Sequence, residues 1–230
     1  MGKEQLQATL VDSMGSDLSI VNAARVSFGK KSEWEKYYET EEYEEYPKYK
    51  LKGQDVRLLK YLAKHKHMSP FGHVFLSFHI KAPIFVRAQL VKHKFLRMNE
   101  VSRRYVDTDI EFYQPDVWRG RSEDKKQGSS GVVDSEWSDW QMYGYSLDTY
   151  NDMIDSGVAP EMARMVLPQS LMTEWYWSGS LDAFTDMCKL RVKEDTQYES
   201  RVVANEVYQK IKEVFPVSAS LLVEGFVDIN

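Results

Sequence analysis

The densest run of polar chemistry in this chain reads Lys-His-Lys-Phe-Leu-Arg-Met-Asn-Glu-Val-Ser-Arg-Arg-Tyr, from Lys92 to Tyr105. Arg103 and Arg104 are adjacent forks, and Ser102 beside them adds a hydroxyl. Together they supply the charge-assisted and single donors that a phosphate monoester requires. Asn99 and Glu100 can read hydroxyl, amide or ring-nitrogen groups, and His93 with Lys92 and Lys94 can hold anionic or electron-rich groups. On residue types alone the segment fits a nucleotide pocket, a solvated charged turn or a nucleic-acid-binding loop. It lacks the regular aromatic interleaving of single-strand binders.

The remaining candidates narrow the chemistry. All five histidines fall between His65 and His93. His65-x-His67 is not the pair at i, i+4 that shares one helical face, and no cysteine pair supports a metal cage, so no metal site is expected. Cys188 is the sole cysteine, which rules out an internal disulfide. It lies at an apolar phase with Leu181 and Phe184 and reads as a buried structural residue rather than a nucleophile. A lone cysteine suits a reducing cytoplasm.

These residues need elements to hold them. Asp17 can cap a helix through Ser27 that places Leu18, Val21 and Ala24 or Arg25 on one face. Lys30–Lys52 is charged and tyrosine-rich and reads as a solvated excursion. A second helix is expected over Asp55–His65, with Leu58, Leu59 and Leu62 inward. Val74, Leu76, Phe78 and Ile80 alternate with Phe75, Ser77 and His79, which predicts a strand. Pro83 suits the first turn of a helix continuing through His93. Phe95–Tyr105 reads as a turn leading into another strand. Residues 119–131 are rich in Gly, Ser and charge and read as a mobile loop.

Trp140, Tyr143, Leu147, Tyr150 and Ile154 recur every three or four residues, which predicts a long helix ending at Gly157 with that stripe packed in the core. Pro160 opens a short helix that Pro168 ends. Leu171–Trp177 reads as a strand, Ser180 as the cap of a helix through Leu190, and Thr196–Val214 as a last long helix. Isolated strands mixed with helices, with no repeat and no domain boundary, indicate one α+β domain over residues 1–230.

Bulk properties exclude several classes. With 43% hydrophobic residues the chain can build a sizeable core. Its longest apolar runs are far short of the roughly 20 residues that span a bilayer. Met1–Leu10 has no apolar region that could act as a secretory signal. The net charge of −5 argues against a surface built for nucleic-acid backbones. Arg87, Lys92, Lys94, Arg97, Arg103 and Arg104 nevertheless cluster against one acid, Glu100. A local basic cluster on an acidic chain suggests one specific anionic ligand.

Several ordered motifs together resemble the flavin-dependent thymidylate synthases. That family carries Arg-His-Arg, four residues, then Asn-Glu-x-Ser-x-Arg-Tyr, and Lys92–Tyr105 is similar to it in spacing and in most residues. Asp17-Leu-Ser and Ala23–Phe28 resemble the family's N-terminal helix. His65–His73 resembles its His-x-His-x-Thr/Ser-Pro-Phe-x-His segment. Phe78–Gln89 resembles the strand and helix before the signature, and Lys126–Gly131 a loop found in many members. Ser156–Pro168 and Lys189–Arg191 match the C-terminal half. Several motifs in register are far more specific than one short pattern.

The resemblance implies an α+β fold with a central, mostly antiparallel sheet flanked by helices. It implies an enzyme that binds FAD and methylates dUMP to dTMP, with 5,10-methylenetetrahydrofolate as carbon donor and NADPH as reductant. It also implies a homotetramer with active sites at subunit interfaces, and no membrane or nucleic-acid partner. Gln89, Glu100, Ser102, Arg103, Arg104, Arg164 and Arg191 would face the nucleotide, with Arg191 polarising the uracil ring. Ser27, Ser69, Lys92, His93, Lys94, Asn99, Glu100 and Asp186 match flavin-contacting positions. His67 matches a catalytic histidine on the nicotinamide and folate side. The chain departs from the pattern at Lys92 and Lys94, which replace arginines, and at Arg97, Gly72, Ser180 and Asp182. These departures bear on the flavin grip more than on the nucleotide pocket. Modification of another pyrimidine such as dCMP, addition of a hydroxymethyl group, or a flavin-free nucleotide-binding relative are the alternatives.

Overall fold

The protein is described here by a computed structural model covering residues 5–38, 47–123 and 128–223. In chain order the elements are β1 (Gln7–Met14), α1 (Asp17–Arg25), β2 (Glu35–Tyr37), β3 (Lys48–Lys50), α2 (Gly53–Lys64), β4 (Phe75–Pro83), α3 (Ile84–Leu90), β5 (Arg97–Glu100), β6 (Arg119–Arg121) and β7 (Ser129–Val132). There follow α4 (Tyr145–Asp155), α5 (Pro160–Ala163), β8 (Met172–Ser180), α6 (Leu181–Arg191), α7 (Tyr198–Val214) and α8 (Pro216–Leu222).

Strand alternation sets the architecture. Leu76, Phe78, Ile80 and Ala82 of β4 and Trp175 and Trp177 of β8 point to one face and are buried. Successive strand residues face opposite sides, so one face gathers nearly all the apolar area. The sheet runs β1-β4-β8-β5, with every neighbouring pair antiparallel. Helices α6 and α7 cover the apolar face. The Phe184 ring meets Phe78 and Trp177 edge-on at 5.1 and 5.3 Å, and Val203, Val207 and Ile211 complete the layer. Truncating a buried phenylalanine of this kind costs about 3–5 kcal/mol. The opposite face is polar: Ser77 and Ser178 hydroxyls meet at 2.8 Å and His79 pairs with Glu174 at 3.0 Å.

The α+β reading and the strand at Val74–Ile80 hold, and Pro83 stands directly before α3. Several expectations need correction. Asp17 does not cap α1, which starts after Ser16, whose N–H donates to the Ser19 hydroxyl at 3.1 Å. The Asp17 carboxylate instead accepts the N–H groups of Val217 and Ser218, both at 3.0 Å, at the start of α8. A helix opening on Pro216 leaves those donors without intrahelical partners, and a buried acid satisfies them. Ser180 likewise spends its hydroxyl on Asp182 rather than on the backbone of α6.

The charged excursion is paired at its ends, since β2 and β3 form a two-stranded ladder. Residues 119–131 are also not a plain loop. β6 and β7 pair across them, while residues 124–127, with the start of the Lys126–Gly131 motif, lie outside the described residues. The aromatic stripe is not core: Tyr150 is buried, but Trp140 is 57% exposed. Residues 140–144 form a turn of π-helix, which shifts the phase of the stripe. The Trp140 ring folds over Gly144, where a Cβ would stand 2.6 Å from it.

Candidate functional site

Strand β5 divides the signature between two faces. Its cross-strand partners on β8 are Ser178, Trp177, Tyr176 and Trp175 for Arg97, Met98, Asn99 and Glu100. Met98 packs against the core and Glu100 shares its inward parity, while Arg97 and Asn99 are exposed on the outer face. The inward Glu100 is held at both oxygens. Oε1 accepts the Thr173 hydroxyl at 3.0 Å, and Oε2 meets Arg87 Nη2 at 2.6 Å.

Beyond Glu100 the chain turns, with Val101 N–H donating to the Glu174 carbonyl and Tyr105 N–H to the Ser102 carbonyl. The turn walls a cleft of about 450 Å³ lined by Glu100, Ser102, Arg103, Arg104, Arg164 and Thr173, with Ile84, Leu167 and Leu171 as its apolar side. Arg164 enters from the helical turn that continues α5.

The arginines fall into two groups. Arg25, Arg87 and Arg119 are each paired with a carboxylate: Asp55, Glu100 and Glu199. Arg104, Arg164 and Arg191 have no carboxylate partner among the described residues. Arg104 Nε donates to the Ser102 hydroxyl at 3.2 Å and Arg164 Nε to the Glu161 carbonyl at 3.2 Å, which leaves both Nη atoms of each fork open. Arg103 differs. Its guanidinium donates to the carbonyls of Val106, Thr108 and Asp109, so it ties down the loop that follows. Two open forks with a hydroxyl and a carboxylate acceptor between apolar walls suit a phosphorylated ligand that also carries N–H or O–H donors.

The other candidate residues lie elsewhere in the chain. Arg87 and Gln89 on α3 are two residues apart, about 200° around a helix. Arg87 turns to β5. Gln89 turns to α7, donating to Gln197 at 2.5 Å and accepting from Ser200 at 3.1 Å. On that side Arg191 Nε donates to His93 Nε2 at 2.9 Å, and Arg191 Nη2 to the Gln89 carbonyl at 3.1 Å. Burial pushes His93 down to about 4, helped by the Arg191 charge and opposed by Asp186. Burial also lowers Arg191. Gln89 and Arg191 therefore do not line the arginine cleft of their own chain.

Lys92 and Lys94 are exposed on the turn between α3 and β5, with Arg97 close behind. Phe95 at its tip has φ +65° and is 83% exposed. The turn rests on Gly179, where a Cβ would stand 2.4 Å from Leu96 Cδ2 and 3.1 Å from the Phe95 carbonyl. None of Lys92, Lys94 and Arg97 has a carboxylate partner among the described residues. Unpaired cations at a fixed turn fit a diphosphate-bearing cofactor such as FAD. Ser27 and Ser69 are exposed in short helical turns that follow α1 and α2, and Asp186 is exposed and paired with Lys189 at 3.1 Å. His67 packs its ring with Tyr61 and His65. Cys188 is fully buried, its thiol 3.7 Å from the Ala204 carbonyl, and burial pushes its pKa well above the usual thiol range.

Sequence reasoning missed Arg87 and Thr173, which fix Glu100. The alternation of β8 carried the signal for Thr173, since it shares parity with Trp175 opposite Glu100.

Fold and site together define a one-sided antiparallel sheet with an arginine-lined ligand cleft at the end of its short edge strand. The family model described as thymidylate synthase complementing protein matches residues 9–217. The chain belongs to that family. It is 37% identical over 216 residues to a flavin-dependent thymidylate synthase of Thermus thermophilus, covering 91% of this chain and 72% of the relative. The corresponding enzyme of Kosmotoga olearia is 36% identical over 215 residues, covering 91% and 86%. A crystal structure of a UMP/dUMP methylase, PolB from Streptomyces cacaoi, bound with 5-Br dUMP, superposes with TM-score 0.75 at 29% identity, covering 94% of each chain.

Proposed function

We propose that this protein is a flavin-dependent thymidylate synthase that methylates dUMP to dTMP, taking its carbon from 5,10-methylenetetrahydrofolate and its reducing equivalents from NADPH. The observation that carries the reading is the pair of open guanidinium forks, Arg104 and Arg164, lining one cleft with Ser102 and Glu100. The relatives named flavin-dependent thymidylate synthase and the neighbour holding 5-Br dUMP support it.

Arg104 and Arg164 would grip the phosphate, the one anionic group of dUMP and a match for their forked donors. Glu100, braced by Arg87 and Thr173, accepts a hydroxyl or N–H of the ligand. Among the described residues Arg191 meets only neutral acceptors, so its charge is available to stabilise negative charge developing on a ring carbonyl. Lys92, Lys94, Asn99, Ser27 and Ser69 would hold FAD, whose chemistry when bound is the supply of hydride. No thiolate is needed, and the burial of Cys188 supports a route without one. Gln89 and Arg191 turn away from the arginine cleft of their own chain. This supports a homotetramer in which one copy contributes the phosphate grip and another the ring contacts. The lone buried cysteine suits the cytoplasm, and among the described residues no helix is long and apolar enough to cross a membrane.

The test is product analysis by mass spectrometry after incubation with FAD, NADPH, methylenetetrahydrofolate and equal dUMP, UMP and dCMP. Flavin-dependent dTMP is expected. A modified cytosine nucleotide, or no product from folded protein, would overturn the reading.

A further inference from the structure

We propose that His93 is a positioning residue that acts through Arg191: its ring nitrogen takes the Arg191 Nε–H and so aims the rest of that guanidinium at the ligand. The proposal rests on the reading of Arg191 as the cation that meets the substrate ring.

The geometry is specific. Arg191 ends α6, and its side chain spans to the segment just after α3, where Nε meets His93 Nε2 at 2.9 Å and Nη2 meets the Gln89 carbonyl at 3.1 Å. Arginine has no acceptor, so in this contact the imidazole must accept. His93 Nε2 is therefore unprotonated and its proton sits on Nδ1. Burial and the Arg191 charge keep the ring neutral, with a pKa of about 4, so the imidazole accepts throughout the neutral range.

Two fixed acceptors, one a backbone carbonyl and one a neutral ring, define the plane of the fork. Neither cancels the charge, and among the described residues Nη1 has no partner. A carboxylate at position 93 would hold the arginine as firmly but would neutralise it. A histidine without its proton on Nε2 holds the cation and leaves it cationic. The second orienting contact comes from the backbone of Gln89, whose side chain is itself anchored to Gln197 and Ser200. This arrangement gives His93 a task other than proton transfer, because its Nε2 lone pair is already engaged.

The experiment is a double-mutant cycle using His93→Leu, His93→Gln and Arg191→Lys, alone and combined. The readouts are kcat and KM for dUMP, and FAD affinity from flavin fluorescence. His93→Leu should lower kcat about 10-fold or more, the scale of one hydrogen bond to a charged group. His93→Gln places an amide oxygen near the lost acceptor and should recover most of that loss. In the Arg191→Lys background, which lacks Nε, His93→Leu should add almost nothing to the loss of kcat. Effects on kcat at saturating FAD that add across the two sites would overturn the proposal. Nitrogen NMR of His93 in the ligand-free protein separates this idea from the proposed reaction. An unprotonated Nε2 whose resonance moves in Arg191→Lys supports the pairing even if no dTMP forms. A protonated Nε2 refutes it whatever the activity.

Discussion

Replacing Arg164 or Arg104 with lysine tests the phosphate grip most directly. Each guanidinium commits only Nε, to the Glu161 carbonyl or the Ser102 hydroxyl, and keeps two Nη atoms for a ligand. A fork on a phosphate makes two charge-assisted bonds, whereas lysine keeps the charge as a point and loses the parallel pair. One hydrogen bond to a charged group is worth about 1.5–3 kcal/mol. Both side chains are exposed within the chain, so solvent and salt screening take the lower end. That is about 10-fold in affinity for each lysine variant. Arg164→Met, which also removes the charge, should cost more, and its excess over lysine should shrink at high salt. The assay is calorimetric titration with dUMP and, in parallel, with deoxyuridine, which lacks the phosphate. The lysine variants should weaken dUMP and leave deoxyuridine nearly untouched. Equal weakening of both ligands, or unchanged dUMP affinity, would refute the assignment of these forks to the phosphate.

Further predictions follow from contacts away from the cleft. Asp17→Ala strips two backbone N–H groups of α8 of their charged acceptor and should cost about 3 kcal/mol, or about 6–12 °C in Tm, by calorimetry. Gly179→Ala should lift the turn that carries Lys92 and Lys94, since the added Cβ meets Leu96 and the Phe95 carbonyl. A cost of about 1–3 kcal/mol and weaker FAD binding, read by flavin fluorescence, are expected. Cys188→Ala should keep wild-type turnover per folded molecule in a standard dTMP assay, because burial holds the thiol protonated. His93 takes a proton near pH 6.5 when unfolded but only near 4 when folded. Its contribution to stability is therefore complete above about 6.5 and is lost as pH falls toward 4. Urea unfolding of His93→Gln should show a shallower loss across that window than the wild type.

What the sequence revealed depended on how long a pattern persisted. The alternation from Val74 through Ile80 was long enough to place β4 and its buried face, and the strand runs on to Pro83. β1 escaped because only Ala8 within it is buried and its register shifts between Leu10 and Asp12. The stripe from Trp140 to Ile154 assumed one α-helical period throughout, and the π-helical turn at 140–144 breaks that phase, so Tyr150 is buried while Trp140 is exposed. Residue types singled out Lys92–Tyr105 as a candidate anion site, yet they could not separate Arg103 from Arg104. Only the path of the loop decides that one guanidinium is consumed by three carbonyls while its neighbour stays open. Asp17 and Ser180 were legible as capping residues, but the competing partners, α8 and Asp182, come from the three-dimensional fold.

Strand β5 carries a further consequence. Adjacent residues Asn99 and Glu100 face opposite sides of the sheet, and only Glu100 reaches Arg87 and Thr173. An inserted or deleted residue within these four positions would exchange the two faces and carry the acid out of the cleft. Substitution has no such effect, because it leaves parity intact. This chain differs from the signature it resembles at Lys92, Lys94 and Arg97, all by replacement, with every interval from Lys92 to Tyr105 retained. For anyone redesigning the site, a substitution in this segment leaves the facing of every other side chain intact, while its length is fixed by the two-fold repeat of a β-strand.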